Sequence, residues 1–179
     1  NWRQADETLL YLARAQRKLE QVDQALATLA TLLKDHAATT VADQAYYDLG
    51  ECRYAANQYA EAMAAYDLVI QQHASSTYLP YALYGKGWAA LKSAQFDAAV
   101  TSFAALIDQH AQHPLRADAL LARGMCYRQQ QKYAEAIADL DQYLAASPQG
   151  AQRADALYER GAAEAAQGDH AKAVQTLTT

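Results

Sequence analysis

Histidines, cysteines, serine hydroxyls and paired carboxylates are the side chains of this 179-residue chain best suited to metal, redox, nucleophilic or acid-base chemistry. His36, His73 and His110 recur at intervals of 37 residues. A zinc ion needs its imidazole nitrogens within about 2.1 Å, whereas equivalent places on successive packed helical units stand about 10 Å apart or more. These three therefore cannot share an ion, and at helix ends they are expected to cap the negative end of the dipole. His110 and His113 are closer in sequence but have no third ligand beside them. Cys52 and Cys126 are 74 residues apart, twice the same interval, which places them roughly 20 Å apart, beyond disulfide reach. Ala15, Ala89 and Ala163 hold the same place elsewhere, so both cysteines are expected to act as small apolar packing residues. Ser102 and Ser147 have no histidine and acid beside them, and no phosphate loop, nucleophile elbow or HExxH run occurs. Glu61 with Asp67, and Asp139 with Asp141, are expected on outward helix faces as solvated surface. No catalytic residue, metal or cofactor follows from this inventory, and an enzyme is not expected.

Net charge of -5 and a pI near 5.4 oppose nonspecific attraction to phosphate backbones, which needs a surplus of lysine and arginine on one face, so nucleic acid is not an expected partner. No stretch reaches the 18 or more apolar residues needed to cross a bilayer. The start, Asn1-Trp2-Arg3-Gln4, lacks an initiator methionine and resembles no signal peptide, so the chain is expected to be a piece of something longer.

The elements that must position these residues are written in the 37-residue interval itself. A small residue recurs at Ala13, Gly50, Gly87, Gly124 and Gly161, a bulkier one at Val22, Tyr59, Phe96, Tyr133 and His170, and alanine at Ala25, Ala62, Ala99, Ala136 and Ala173. Such self-similarity marks stacked supersecondary units, each too small to bury its own apolar face. Within each unit apolar residues fall at three- and four-residue intervals in two runs, an A helix and a B helix, joined by a short polar turn that forces them antiparallel. The spacing predicts helices over 5–19, 22–35, 42–56, 59–72, 79–93, 96–110, 116–130, 133–146, 153–167 and 170–179. One solenoid spanning 1–179 is expected, with repeats at about 5–40, 41–77, 78–114, 115–151 and a truncated 152–179. Mid-helix glycine costs about 1 kcal/mol against alanine, and close approach by the B-helix alanines is the expected compensation. Serine and threonine in the joints are expected to cap the following helices.

Gly50, Tyr59, Ala62 and Tyr66, repeated as Gly87-Phe96-Ala99-Phe103 and Gly124-Tyr133-Ala136-Leu140, resemble the tetratricopeptide repeat, which in its common form is 34 residues long. The joints and the helix starts Ala117-Asp118-Ala119-Leu120 and Ala154-Asp155-Ala156-Leu157 are similar to those of bacterial envelope members, of the TolA-binding coordinator and outer-membrane assembly lipoprotein type. The resemblance implies an all-α, right-handed superhelix whose A helices line a concave groove for a protein or peptide partner. It implies a ligand groove drawn from Tyr11, Arg14, Arg17, Tyr47, Tyr54, Tyr81, Tyr84, Trp88, Lys92, Met125, Arg128 and Tyr158. Asp48, Leu121 and Glu159 fall on the same A-helix faces. The central aromatics have the composition favoured at binding hot spots, although rings at such places also fill the joints of solenoids. Arg14, Arg17 and Lys18, with Lys86 and Lys92, would suit an acidic peptide, or else form a solvated charged face. The family's carboxylate-clamp pattern is not matched, since Leu10 and Arg14 stand where its lysine and asparagine would be. A second reading is a structural, self-associating module, because the short fifth unit leaves Val174 and Leu177 at an apolar edge. A third is a regulatory arm of a larger envelope protein or enzyme. The envelope-type joints favour the bacterial periplasm, with the cytoplasm as the alternative.

Overall fold

The computed structural model describes residues 2–35 and 39–179. His36, for which the sequence implies a capping role, lies outside the described residues. The described residues form ten α-helices and no strand. The helices fall into two units, 1–93 and 94–179.

The first unit holds α1 (Trp2–Lys18), α2 (Val22–Asp35), α3 (Ala42–Ala55), α4 (Tyr59–Gln72) and α5 (Leu79–Lys92). Each helix packs on its successor, and the A helices also touch directly, α1 with α3 and α3 with α5. Leu10, Ala13, Ala25, Leu29, Leu32, Ala45 and Cys52 form one buried cluster, and Ala62, Tyr66, Val69, Ala82 and Ala89 another. The second unit holds α6 (Phe96–Gln109), α7 (Arg116–Gln129), α8 (Tyr133–Ala146), α9 (Arg153–Gln167) and α10 (His170–Leu177), with the same neighbour-to-neighbour packing and a direct α7–α9 contact. Its buried side chains include Ala99, Phe103, Leu120, Cys126, Ala136, Leu140 and Ala163. The helix bounds follow the sequence period closely; α1 starts earlier, at Trp2, and α10 ends at Leu177.

The A-to-B turns share one left-handed backbone position. Glu20, Asn57, Ala94, Gln131 and Gly168, one per repeat, all have positive φ. Around Asn57 the Gln58 N–H donates to Arg53 O and the Asn57 N–H to Tyr54 O, each at 2.9 Å. These two bonds satisfy the last carbonyls of the A helix by the Schellman pattern. The joints between repeats differ from the expected hydroxyl caps. The residues at the A-helix N-caps are Val41, Tyr78, Leu115 and Gln152, none of which makes a side-chain cap bond. Instead a side chain two places earlier accepts the N-cap N–H: Thr39 Oγ1 from Val41, Ser76 Oγ from Tyr78, and His113 Nδ1 from Leu115. The hydroxyl is therefore spent on the turn, and the imidazole of His113 replaces it in the fourth repeat. His73 and His110 do stand at the C-caps of α4 and α6, as expected of helix-end histidines.

The mid-helix glycines meet a B-helix side chain first, and at Gly124 the expected alanine as well, since a Cβ there would stand 3.3 Å from the Ala136 carbonyl oxygen. A Cβ on Gly50 would stand 2.5 Å from Tyr66 Cε1, one on Gly124 2.9 Å from Leu140 Cγ, and one on Gly161 2.6 Å from Leu177 Cγ. The close neighbour is thus the B-helix side chain four residues after the alanine, because that residue points across the helix pair while the alanine seats the backbone beside it. The alanines themselves are buried, Ala25, Ala62, Ala99 and Ala136 completely.

Candidate functional site

Tyr66 organises the A-helix face of the first unit. It starts on α4, is completely buried, and passes between α3 and α5 where Gly50 and Gly85 leave room. Its hydroxyl donates to Glu51 Oε1 at 2.8 Å. Burial, and then the Glu51 carboxylate, hold the phenols of Tyr66 and Tyr47 well above the ordinary tyrosine range, so both keep their protons. Above this floor lies a hollow of about 440 Å³ lined by Glu51, Tyr54, Tyr66, Tyr84, Gly85, Trp88 and Lys92. Tyr84 meets Trp88 edge-on at 6.2 Å, and Tyr54 meets Tyr59 edge-on at 5.4 Å, so the walls are rings held by rings. A second aromatic group adjoins it: Tyr47 packs on Tyr66, Tyr78 and Tyr81, with centroids 5.2 to 6.2 Å apart.

The polar residues divide sharply. Arg14 donates to Asp48 at 2.5 Å, to the Tyr78 hydroxyl at 3.2 Å and to Gln44 at 3.3 Å, while Arg17 donates to Glu51 at 3.0 Å. Asp48 is 2% exposed, and burial raises its carboxyl pKa while Arg14 and Arg17 pull the other way. The charge of Arg14 and Arg17 is therefore answered within the chain, which corrects the expectation of a basic stretch there. Asp48, expected to face the groove, is a buried counterion instead. Glu51 is occupied by Arg17 and Tyr66. Lys92, exposed on the rim, has no ion-pair partner among the described residues.

Of the residues expected to meet a ligand, the structure brings Tyr54, Tyr84, Trp88 and Lys92 together around one hollow, with Tyr47 and Tyr81 in the adjoining cluster. Tyr11 is 64% exposed on α1. Met125, Arg128 and Tyr158 belong to the second unit; there Arg128 is ion-paired to Glu159, Met125 is half-buried and Tyr158 is 62% exposed. Glu159 and Leu121, expected to face the groove, are buried. Asp139 is corrected as well: it is 3% exposed and accepts from Arg123 Nε at 2.7 Å and Nη2 at 2.8 Å. Its neighbour Asp141 pairs with Arg160 at 2.9 Å, and Asp67 with Lys86 at 2.6 Å. Sequence reasoning missed Gly85, Tyr78 and the inward reach of Tyr66. The one visible sign was that Gly85 stands out of phase with the other helix-A glycines. Burial raises the thiol pKa of Cys52 to about 11 and of Cys126 to about 12, consistent with packing residues. Among the described residues no group of three His, Cys, Asp or Glu is placed to hold a metal.

Models of the tetratricopeptide repeat match residues 10–77 and 84–151, and a further one matches 155–179. No curated protein matches the chain. Among solved structures, a crystal structure of MamA protein has a TM-score of 0.81 at 18% identity, covering 97% of this chain and 88% of that one. MamA 41-end from Desulfovibrio magneticus RS-1 has a TM-score of 0.82 at 17% identity, covering 97% and 91%. YrrB, described as a TPR protein with an unusual peptide-binding site, has a TM-score of 0.77 at 20% identity, covering 95% and 81%. These likenesses bear on the fold.

Proposed function

The chain belongs to the tetratricopeptide-repeat family, whose members are in general protein-interaction scaffolds, and from that premise we propose that it binds a peptide segment of a protein partner on the A-helix face of its first unit. The observation that carries this reading is the hollow itself: aromatic walls from Tyr54, Tyr84 and Trp88, a floor made by Tyr66 and Gly85, and on the rim the cation Lys92, without an ion-pair partner among the described residues. Rings supply broad contact area at low entropy cost, and desolvated aromatic pockets are where interfaces concentrate their energy. The preferred occupant is a side chain with an apolar body next to a carboxylate, the first filling the hollow and the second pairing with Lys92. Arg14 and Arg17 contribute little to such selection because Asp48 and Glu51 already hold them. A bacterial-envelope setting belongs to the same proposal, supported by the joint and helix-start sequences; fractionating the source cell tests it.

Selection of a random displayed peptide library on the immobilised chain tests the site. Recovered peptides should share an apolar residue beside an acidic one and lose at least tenfold in affinity for a Tyr84→Ala/Trp88→Ala variant. Lys92→Gln should weaken only the acidic sequences. Peptides that bind the double variant as well as the parent would place the site elsewhere.

A further inference from the structure

The fifth repeat carries a buried acid at a place where the array otherwise has none. Glu164 on α9 holds the place of Arg53, Ala90 and Tyr127, and Ala90 there is completely buried, so packing by itself asks only for an apolar residue. Glu164 is 2% exposed, and its Oε2 is buried with no hydrogen-bond partner among the described residues. A buried acceptor without a donor is destabilising, and such an atom needs a reason. Glu164 lines a hollow of about 320 Å³ whose walls come from α8, α9 and the start of α10, with Ile137, Asp141, Arg160, Asp169 and Lys172 among them. Its mouth is open in an interior repeat too: Asp169 and Lys172 hold the places of Lys132 and Glu135, both exposed although a further helix pair follows them.

We infer that this hollow binds an ammonium group carried on an aliphatic stem, with Glu164 Oε2 accepting one of its N–H groups. The cations already present are held elsewhere. Arg160 Nε stands 2.9 Å from Asp141 Oδ1 and 3.3 Å from Glu164 Oε1, and Lys172 Nζ stands 2.5 Å from Asp169 Oδ2. Asp141, Glu164 and Asp169 face only Arg160 and Lys172 in this lining, so the acids outnumber the bases by one. A metal ion does not fit, because among the described residues no three His, Cys, Asp or Glu side chains are placed to hold one. An ammonium group answers the same charge with another geometry: it is compact, offers three donors, and rides on a flexible apolar stem that can lie along Ile137. Burial makes the contact selective. A neutral hydroxyl could donate to Glu164 but would leave the excess negative charge unanswered. The site lies in the second unit and shares no residue with the aromatic hollow of the first. A lysine side chain of a partner protein and a free alkylamine present the same group.

Amide shifts of the nitrogen-15-labelled chain test the inference by titration with pentane-1,5-diamine and with the tripeptide acetyl-Ala-Lys-Ala-amide, pentane-1,5-diol being the uncharged comparison. The diamine should give saturable shifts in α9 and the facing part of α8, and the diol none. Glu164→Gln should weaken amine binding by about tenfold or more, the worth of a hydrogen bond to a charged group. Ala134→Lys, at an exposed position in the same lining, supplies a tethered ammonium and should abolish the binding. Circular dichroism verifies the fold of both variants, and Ala134→Lys decides should Glu164→Gln fold poorly. Binding of the tripeptide assigns a partner's lysine side chain as the source, and binding of the diamine alone assigns a free amine. No saturable shift with either amine, diol binding equal to that of the diamine, or amine binding unchanged in the variants would overturn the ammonium site.

Discussion

A Cβ on Gly85 would stand 2.6 Å from Tyr66 Cζ and 2.8 Å from its hydroxyl oxygen. Tyr66 is completely buried and its hydroxyl is held by Glu51, and overpacking of this kind typically costs about 1–3 kcal/mol. Gly85→Ala should therefore lower the stability read by denaturant unfolding by that amount. In a Tyr66→Leu background, which copies the Gly124–Leu140 contact of the fourth repeat, the added cost should fall below about 1 kcal/mol, a coupling that a double-mutant cycle measures. Equal costs in both backgrounds would show that the ring is not what excludes the methyl group. The Arg123–Asp139 pair makes a second residue-level case. Its hydrogen bonds to Asp139 raise the Arg123 pKa, and the carboxylate side chain is 5% exposed. Removing one partner leaves a buried charge unanswered, at a cost of about 3–5 kcal/mol, whereas replacing both by apolar residues is often neutral. Arg123→Met should thus be strongly destabilising and Arg123→Met/Asp139→Leu close to the parent, as read by urea unfolding. The repeat register explains why Arg123 turns to Asp139. Lys86 and Arg160, its equivalents, pair back to Asp67 and Asp141, but the corresponding residue for Arg123 is Ala104.

At the scale of elements, the left-handed turn residues are the weak points. Gln131 has φ of 61°, where a residue with a Cβ is strained by roughly 1–2 kcal/mol, whereas Gly168 holds the same place at φ 96° without that cost. Gln131→Gly should raise stability by about 0.5–1 kcal/mol, partly offset by the greater freedom of glycine in the unfolded chain, and the thermal midpoint reads it. The joint before α7 is sensitive to pH. Burial first, and then nearby His110, lower the His113 pKa below 6.5, and its Nδ1 accepts the Leu115 N–H. The unfolded chain then binds the proton more readily, so stability is present above pH 6.5 and is lost as pH falls from there through the lower folded-state pKa. His113→Ser, which copies Ser76, should flatten this loss in thermal melts between about pH 5 and 7. Helix positions were legible because a 3.6-residue apolar period and a 37-residue repeat reinforce each other. The capping chemistry was not, because the same Ser or Thr fits either an N-cap or the turn two residues earlier, and backbone geometry chooses.

At the scale of the whole chain, each helix within a unit touches only its nearest elements. Stability in such arrays is close to a sum of neighbour terms. Amide hydrogen exchange in this 179-residue chain should therefore be fastest in α10, which packs on α9, and slowest in α3 and α7, which each pack on three or more helices. Uniform protection across all ten helices would contradict neighbour-limited coupling.

The all-α repeat architecture is written in the chain because it depends on local quantities: helix propensity, apolar spacing, and a period that returns the same small and large residues to the same faces. The central aromatics were picked out through the repeat resemblance, although Tyr47 and Tyr54 also pack on Tyr66 and Tyr59 of their own helix pair. What only the tertiary structure decided was which of them converge. Tyr66 reads as an ordinary B-helix packing residue until Gly85 of the next repeat opens the slot through which its hydroxyl reaches Glu51. Arg14 and Arg17 read as a basic stretch until Asp48 and Glu51, some 34 residues on, cancel them. Pairings of that kind turn on side-chain reach across neighbouring helices, a property of two repeats in contact that neither repeat's sequence contains by itself.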